Sequence, residues 1–213
     1  MTRENKVQNI LTEISDYYST KITTFGATPQ GVDWNGAFSQ TTRFEQLAKI
    51  IAPAESFSIY DLGCGYGALY DYLNVHYKNF TYTGLDISEE MILAAQRRDQ
   101  SNNTAKYILA NEPQENADYG IASGIFNVRL ERSDDEWYNY LETTLDLLDR
   151  TSNRGFAFNC LTSYSDLDKM RDYLYYADSC KVFDLCKRKY SKEVALLHDY
   201  GLYEFTILVR KNR

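Results

Sequence analysis

The stretch Ile59-Tyr60-Asp61-Leu62-Gly63-Cys64-Gly65-Tyr66-Gly67 constrains this chain more than any other. A short β-prone run leads straight into three alternating glycines, so a buried strand ends in a tight turn and a helix follows. Glycine adopts positive φ and lets the backbone approach a ligand that a β-carbon would push away. Free amides at a turn before a helix N-terminus favour anionic groups. One helix length later, Phe80-Thr81-Tyr82-Thr83-Gly84-Leu85-Asp86-Ile87-Ser88 reads as a second strand with an acid at its end. In nucleotide-binding βαβ units a carboxylate there accepts both hydroxyls of a ribose.

From Phe57 onward strands and helices alternate, which implies a parallel sheet with crossover helices. Strands are expected near 57–62, 80–85, 106–110, 119–126 and 155–160, and helices near 67–77, 88–100 and 134–149. Ser88 before Glu89 and Glu90, and Ser133 before Asp134-Asp135-Glu136, are helix-start signatures. Residues 165–190 read as helical and tyrosine-rich, and residues 194–209 as a hairpin turning at Asp199 to Gly201. Upstream, Val7, Ile10, Leu11 and Ile14 share one face of a helix over 4–20, and Thr42 to Ile51 returns to helical spacing before Pro53. Residues 21–40 look irregular, and within them Gly26 to Gly36 resembles a lid carrying one large apolar group, Trp34. The organisation expected is an N-terminal helix and lid over 1–42 and a main domain over 43–213.

The formal net charge of −7 argues against nucleic acid, whose phosphates call for a basic face. The run Lys187-Arg188-Lys189 reads as a solvated helix face. The four cysteines, Cys64, Cys160, Cys180 and Cys186, lack metal-ligand spacing and suit a reducing compartment. The polar N-terminus Met1-Thr2-Arg3-Glu4-Asn5-Lys6 has no apolar signal core, and no run approaches membrane-spanning length. A cytoplasmic protein with no membrane partner is expected; the oligomeric state is left open.

Asp61-Leu62-Gly63-Cys64-Gly65-Tyr66-Gly67 together with Gly84-Leu85-Asp86-Ile87-Ser88 resembles the class I S-adenosylmethionine-dependent methyltransferases. The glycines read G-x-G-x-G and not the G-x-G-x-x-G of the dinucleotide fingerprint, which argues against NAD or FAD. The resemblance covers roughly residues 43–213. It implies a Rossmann-like, doubly wound, mostly parallel seven-stranded sheet with a C-terminal antiparallel hairpin, helices on both faces and an N-terminal helical lid. The implied cofactor is S-adenosyl-L-methionine. Gly63, Cys64, Gly65 and Gly67 would wrap its methionine part, and Asp61 would hold the amino group. Asp86 would take the ribose hydroxyls, and Ile87 would pack on adenine. Asn111 matches the position that contacts the adenine amino group, with Glu112 as the alternative. Ser123 and Gly124 would permit close passage of the cofactor, and Arg43 would pair with its carboxylate.

The ends of the fourth, fifth and sixth strands should meet at one rim, where Asn127, Arg129, Asn159, His198 and Tyr200 are candidates for substrate contact together with Trp34 of the lid. His198, one of two histidines, is a candidate general base, with Asp178 as a carboxylate to orient it. Alignment of nucleophile and methyl group, without a base, is the alternative. The expected reaction is methyl transfer to a small-molecule acceptor, more readily a hydroxyl of a metabolite or of a sugar or glycan precursor than an amine. A methyltransferase acting on protein or transfer RNA is the second reading. A non-catalytic scaffold of the same fold is the third, and the intact Asp61, Gly63, Gly65, Gly67 and Asp86 argue against it.

Overall fold

The computed structural model describes residues 3–34, 36–53, 56–100 and 104–211, the side chains of 3–6 excepted; Met1 and Thr2 of the polar N-terminus and Asn35 of the lid segment lie outside it. Eight strands form one sheet: β1 (Phe57–Leu62), β2 (Phe80–Asp86), β3 (Ala105–Leu109), β4 (Ala117–Ala122), β5 (Ser152–Thr162), β6 (Tyr176–Ala177), β7 (Glu193–Leu197) and β8 (Glu204–Arg210). Their order is β3-β2-β1-β4-β5-β8-β7, with the two-residue β6 paired to the far end of β5. Among the described residues only β8 runs antiparallel, against both β5 and β7. Strand order reverses between β1 and β4, and in such sheets the crevice beyond the carboxyl ends at that point is where ligands sit.

Six α-helices accompany the strands: α1 (Arg3–Phe25), α2 (Ala37–Ala48), α3 (Ala68–His76), α4 (Glu89–Arg98), α5 (Asp134–Thr151) and α6 (Ser179–Lys189). Alternation along β1 sends Tyr60 and Leu62 to one face and Ile59 to the other. The first face packs against Trp137, Leu141 and Leu145 of α5 and Val182 of α6. The second packs against Phe44 and Leu47 of α2 and Leu69 and Leu73 of α3. Burial of these side chains on both faces is what fixes the three-layer arrangement. Ser88 Oγ accepts from Met91 N and Ser133 Oγ from Glu136 N, so both serine caps stand where the acidic helix starts indicated.

Four local expectations change. The stretch 165–190 is not one helix: it holds a short 3-10 turn at Leu167–Lys169, then β6, then α6. Its backbone is spent on the β4–α5 loop, because Arg129 N and Leu130 N donate to Tyr173 O and Tyr175 N donates to Asn127 O. Asp178 then starts α6 by accepting from Cys180 N and Lys181 N. β4 stops at Ala122, since Gly124 turns the chain away at φ +78°. α1 continues to Phe25, and a 3-10 turn at Pro29–Val32 breaks the segment read as irregular. Finally, α2 straddles the boundary drawn at 42/43 and packs on the sheet as part of the main domain. The β3–β4 link, residues 110–116, carries no helix.

Candidate active site

Gly63, Gly65 and Gly67 all have left-handed φ, +74°, +53° and +81°. Gly63 N and Cys64 N both donate to Leu85 O, at 2.7 and 2.9 Å, which clamps the turn to the end of β2. A β-carbon on Gly63 would lie 2.3 Å from Ile125 Cγ2. Gly63→Ala therefore combines about 1–2 kcal/mol of left-handed strain with overpacking of about 1–3 kcal/mol. The expected result is a clearly lowered melting temperature and lost cofactor binding; a thermal melt identical to wild type would refute the geometry.

Asp86 closes the turn. Its Oδ2 accepts from Gly65 N at 2.8 Å and its Oδ1 from Ser88 N at 2.9 Å. Burial raises its pKa, while the amides of Ser88, Gly65 and Ile87 work against that rise. Asp61 is 1% exposed. Tyr82 Oη donates to its Oδ2 at 2.8 Å, and its Oδ1 has no partner. Burial pushes the Asp61 carboxyl up to about 7; the Tyr82 hydrogen bond opposes this and the nearby Asp86 charge adds to it. Ser123 Oγ, across the crevice, is likewise buried without a partner. Buried polar atoms without partners are costly, and two of them lining one cavity mark a place built for a polar ligand. Cys64, packed against Gly84, has its thiol pushed up by burial and is not poised as a nucleophile.

These groups line a cavity of about 240 Å³. Ile87, Ala110, Asn111 and Ile125 extend it along the strand ends, and Val32, Trp34, Gln40 and Tyr66 close one end. Leu11, Ile14 and Tyr18 of α1 roof it. α1 is tied down along its length: Arg132 pairs with Glu13, Ser15 Oγ donates to Ile87 O at 2.9 Å, and Tyr17 and Lys21 both reach Asp33 at 2.7 Å. With no helix between β3 and β4, α5 supplies the remaining wall through Tyr140, Thr143, Thr144 and Leu147.

The cavity holds Asp61, Gly63, Cys64, Gly65, Asp86, Ile87, Asn111, Glu112, Ser123, Gly124 and Trp34 of the residues singled out in the sequence. Asn111 is at its exposed rim, and Glu112 forms an exposed pair with Arg150 at 2.7 Å. Gly67 stands just behind, where Tyr107 Oη would meet a β-carbon at 2.7 Å. The other candidates do not line the cavity. Arg43 is buried in the middle of α2 and turned onto Glu204, with Nε 2.7 Å from Oε2 and Nη2 on Oε1. Asn159 is fully buried within β5, which runs past it to Thr162. Its Nδ2 donates to Glu204 Oε2 at 2.6 Å and its Oδ1 accepts from Gly124 N at 2.8 Å. Asn127 accepts from Leu161 N, and Arg129 donates to Leu174 O and Arg132 O, so both brace the loop after β4. Tyr200 Oη bonds to Thr206 Oγ1. His198 is exposed, with its ring near Tyr164 and Phe205, and Asp178 caps α6 instead of orienting it. Among the described residues neither histidine lines the cavity.

Gln40 and Tyr66, hydrogen-bonded to each other at 2.9 Å, and Tyr18 were not anticipated. The apolar face of α1 was visible in the spacing of Val7, Leu11 and Ile14; the surface it covers was not, because that depends on the turn at Pro29–Val32 folding α1 back over the sheet.

A reversing parallel sheet, a left-handed glycine turn and a buried acid at the end of β2 define a Rossmann-like domain for a nucleotide-containing cofactor. A family model described as a methyltransferase domain matches residues 59–149. The Mycobacterium tuberculosis protein named "Putative methyltransferase Rv1506c" is 61% identical over 163 residues, covering 76% of this chain and 98% of the relative. The chain belongs to the class I S-adenosylmethionine-dependent methyltransferases, and S-adenosylmethionine is its cofactor. Among solved structures, magnesium protoporphyrin IX methyltransferase from Synechocystis PCC 6803 with bound S-adenosylhomocysteine superposes at TM-score 0.69, with 16% identity, over 94% of this chain and 99% of that one. The N-methyltransferase NodS from Bradyrhizobium japonicum WM9 does so at TM-score 0.64, with 13% identity, over 93% and 98%. At these identities the likeness is one of fold.

Proposed function

We propose that this methyltransferase modifies a small-molecule acceptor in the cytoplasm, at a hydroxyl of a metabolite or of a sugar or glycan precursor. The observation that carries this reading is the roof: α1 lies over the cleft and is tied to both sides of it, which narrows the access left for an acceptor. The charge distribution agrees. In the Lys187-Arg188-Lys189 run, Arg188 is paired with Asp184, and Lys189 with Glu142 and Asp146, which leaves little of the run for a phosphate backbone.

In this reading Asp86 accepts the ribose hydroxyls, Asp61 Oδ1 accepts the ammonium group, and Ser123 Oγ bonds a cofactor polar group. Ile87 packs on the adenine, and Asn111 takes its amino group at the rim. Bound S-adenosylmethionine supplies an electrophilic methyl on a sulfonium. The protein's part is to orient and to exclude water. The left-handed glycines bring the backbone close, and α1 with Trp34 limits the access of solvent. Trp34, Gln40 and Tyr66 form the acceptor end. With the histidines outside the wall, alignment of acceptor and methyl carries the rate: the O–CH3 bond forms as the S–CH3 bond breaks, the sulfur leaves as the neutral thioether, and the hydroxyl proton passes to water at the open rim.

The test is incubation with methyl-labelled cofactor and separated fractions of small metabolites, transfer RNA and protein. Label in the small-molecule fraction, with an O-methyl product by NMR, is expected. Label confined to transfer RNA or protein would overturn the proposal.

A further inference from the structure

A polar chain of side chains lies buried behind the cleft. Arg43 of α2, Glu204 at the start of β8 and Asn159 of β5 are 7%, 2% and 0% exposed. Arg43 engages both Glu204 oxygens, and Asn159 Nδ2 shares Oε2 with Arg43 Nε. That donor requirement fixes the Asn159 amide: with Nδ2 held by a carboxylate, Oδ1 must face the other way, onto Gly124 N. Gly124 sits in the left-handed region at φ +78°, between Ser123 and Ile125, which line the cavity. On its other side the Trp34 ring occupies the space a β-carbon would need, 3.0 Å from Cζ2, and the Arg43 guanidinium stacks on that same ring at 4.7 Å from its centroid. The chain thus grips the β4 loop twice, by a hydrogen bond through Asn159 and by packing through Trp34.

Burying an ion pair is a poor way to gain stability, because desolvation offsets most of the attraction. Its hydrogen bonds, which run on through Asn159 to the Gly124 amide, point to a role in geometry. We propose that Arg43, Glu204 and Asn159 are positioning residues that set the Ser123–Gly124–Ile125 wall for the cofactor, and that Arg43 acts through Glu204 instead of pairing with the cofactor's carboxylate. The inference rests on that loop being a wall of the cofactor site.

Two ligands separate the roles. S-adenosylhomocysteine carries the amino-acid carboxylate; 5′-methylthioadenosine has the same nucleoside and sulfur without it. Calorimetric titration of both into wild type and into Arg43→Met/Glu204→Leu, which removes both charges together and so leaves none unpaired, reads the difference. Positioning predicts that both affinities fall by a similar factor, about 5- to 20-fold, the size of one lost neutral hydrogen bond and its packing. Loss confined to S-adenosylhomocysteine would restore direct carboxylate pairing and overturn the proposal, as would unchanged binding of both. Wild type that binds neither ligand would instead sink the assignment of the cofactor wall. Should the double variant not fold, amide exchange in wild type still decides: Gly124 N–H is expected to exchange slowly, like core strand amides, and rapid exchange would overturn the relay.

Discussion

Asp86→Ala is expected to weaken S-adenosylhomocysteine binding at least about 100-fold by calorimetry. Each Asp86 oxygen accepts one backbone amide, from Gly65 or Ser88, and keeps a further lone pair. Two ribose hydroxyls placed on those lone pairs would form charge-assisted bonds of about 1.5–3 kcal/mol each. Their loss converts to roughly 10²- to 10⁴-fold in affinity. Alanine also leaves the Gly65 and Ser88 amides without their acceptor, so the glycine turn loosens and the melting temperature drops by several degrees as well. The titration therefore belongs well below the melt. Asp86→Asn serves as the near-isosteric control: its –NH2 must meet one of the two amides donor to donor, so it too is expected to bind poorly. Affinity within tenfold of wild type for Asp86→Ala would remove Asp86 from the ribose site.

What was legible in the sequence was local. Strand, glycine turn and helix follow one another within a short stretch, and each needs residue types that few other structures want, so β1, the turn, β2 and Asp86 could be placed directly. Ser88 and Ser133 are caps whose partners lie three residues away. Polar residues near the strand ends were a different matter. Asn127, Asn159 and Arg43 have the chemistry to meet a ligand, and they have the same chemistry to satisfy Leu161 N, Gly124 N and Glu204. Which of these happens depends on a partner up to 161 residues away in the chain. His198 lies off the cavity for a related reason: β7 is an edge strand, and its end is exposed and outside the crevice wall. The tyrosine-rich segment misled through its helical spacing, when its backbone partners were carbonyls and amides of the loop after β4.

Asp61→Asn is expected to make the ligand-free protein more stable at pH 8 and to weaken its hold on the cofactor. The Asp61 carboxyl, displaced by burial from an ordinary value of 3.8 to about 7 in the fold, has one oxygen on Tyr82 and the other without a partner. Between these two values the folded state keeps a proton that the unfolded state has released. The contribution of this group is therefore full at acid pH, declines as pH rises from about 4, and levels off above about 7. The cost at pH 8 is on the order of a few kcal/mol, or roughly 5–10 °C in melting temperature for a chain of this size. Asparagine stays neutral, accepts the Tyr82 hydroxyl and removes the slope, so the two proteins should melt together only below about pH 4, separate steadily above it, and differ most at pH 8. Ligand binding reverses the order. An ammonium group on Oδ1 requires the ionised carboxylate, so affinity for S-adenosylhomocysteine in wild type should rise about tenfold per pH unit below 7 and flatten above it. In Asp61→Asn that rise disappears, and affinity at pH 8 falls by about 10- to 100-fold, the worth of one charged hydrogen bond. Parallel melting curves across pH would show that Asp61 is ionised throughout. A pH-independent affinity in wild type would remove the ammonium group from Oδ1 and leave that buried oxygen for another donor.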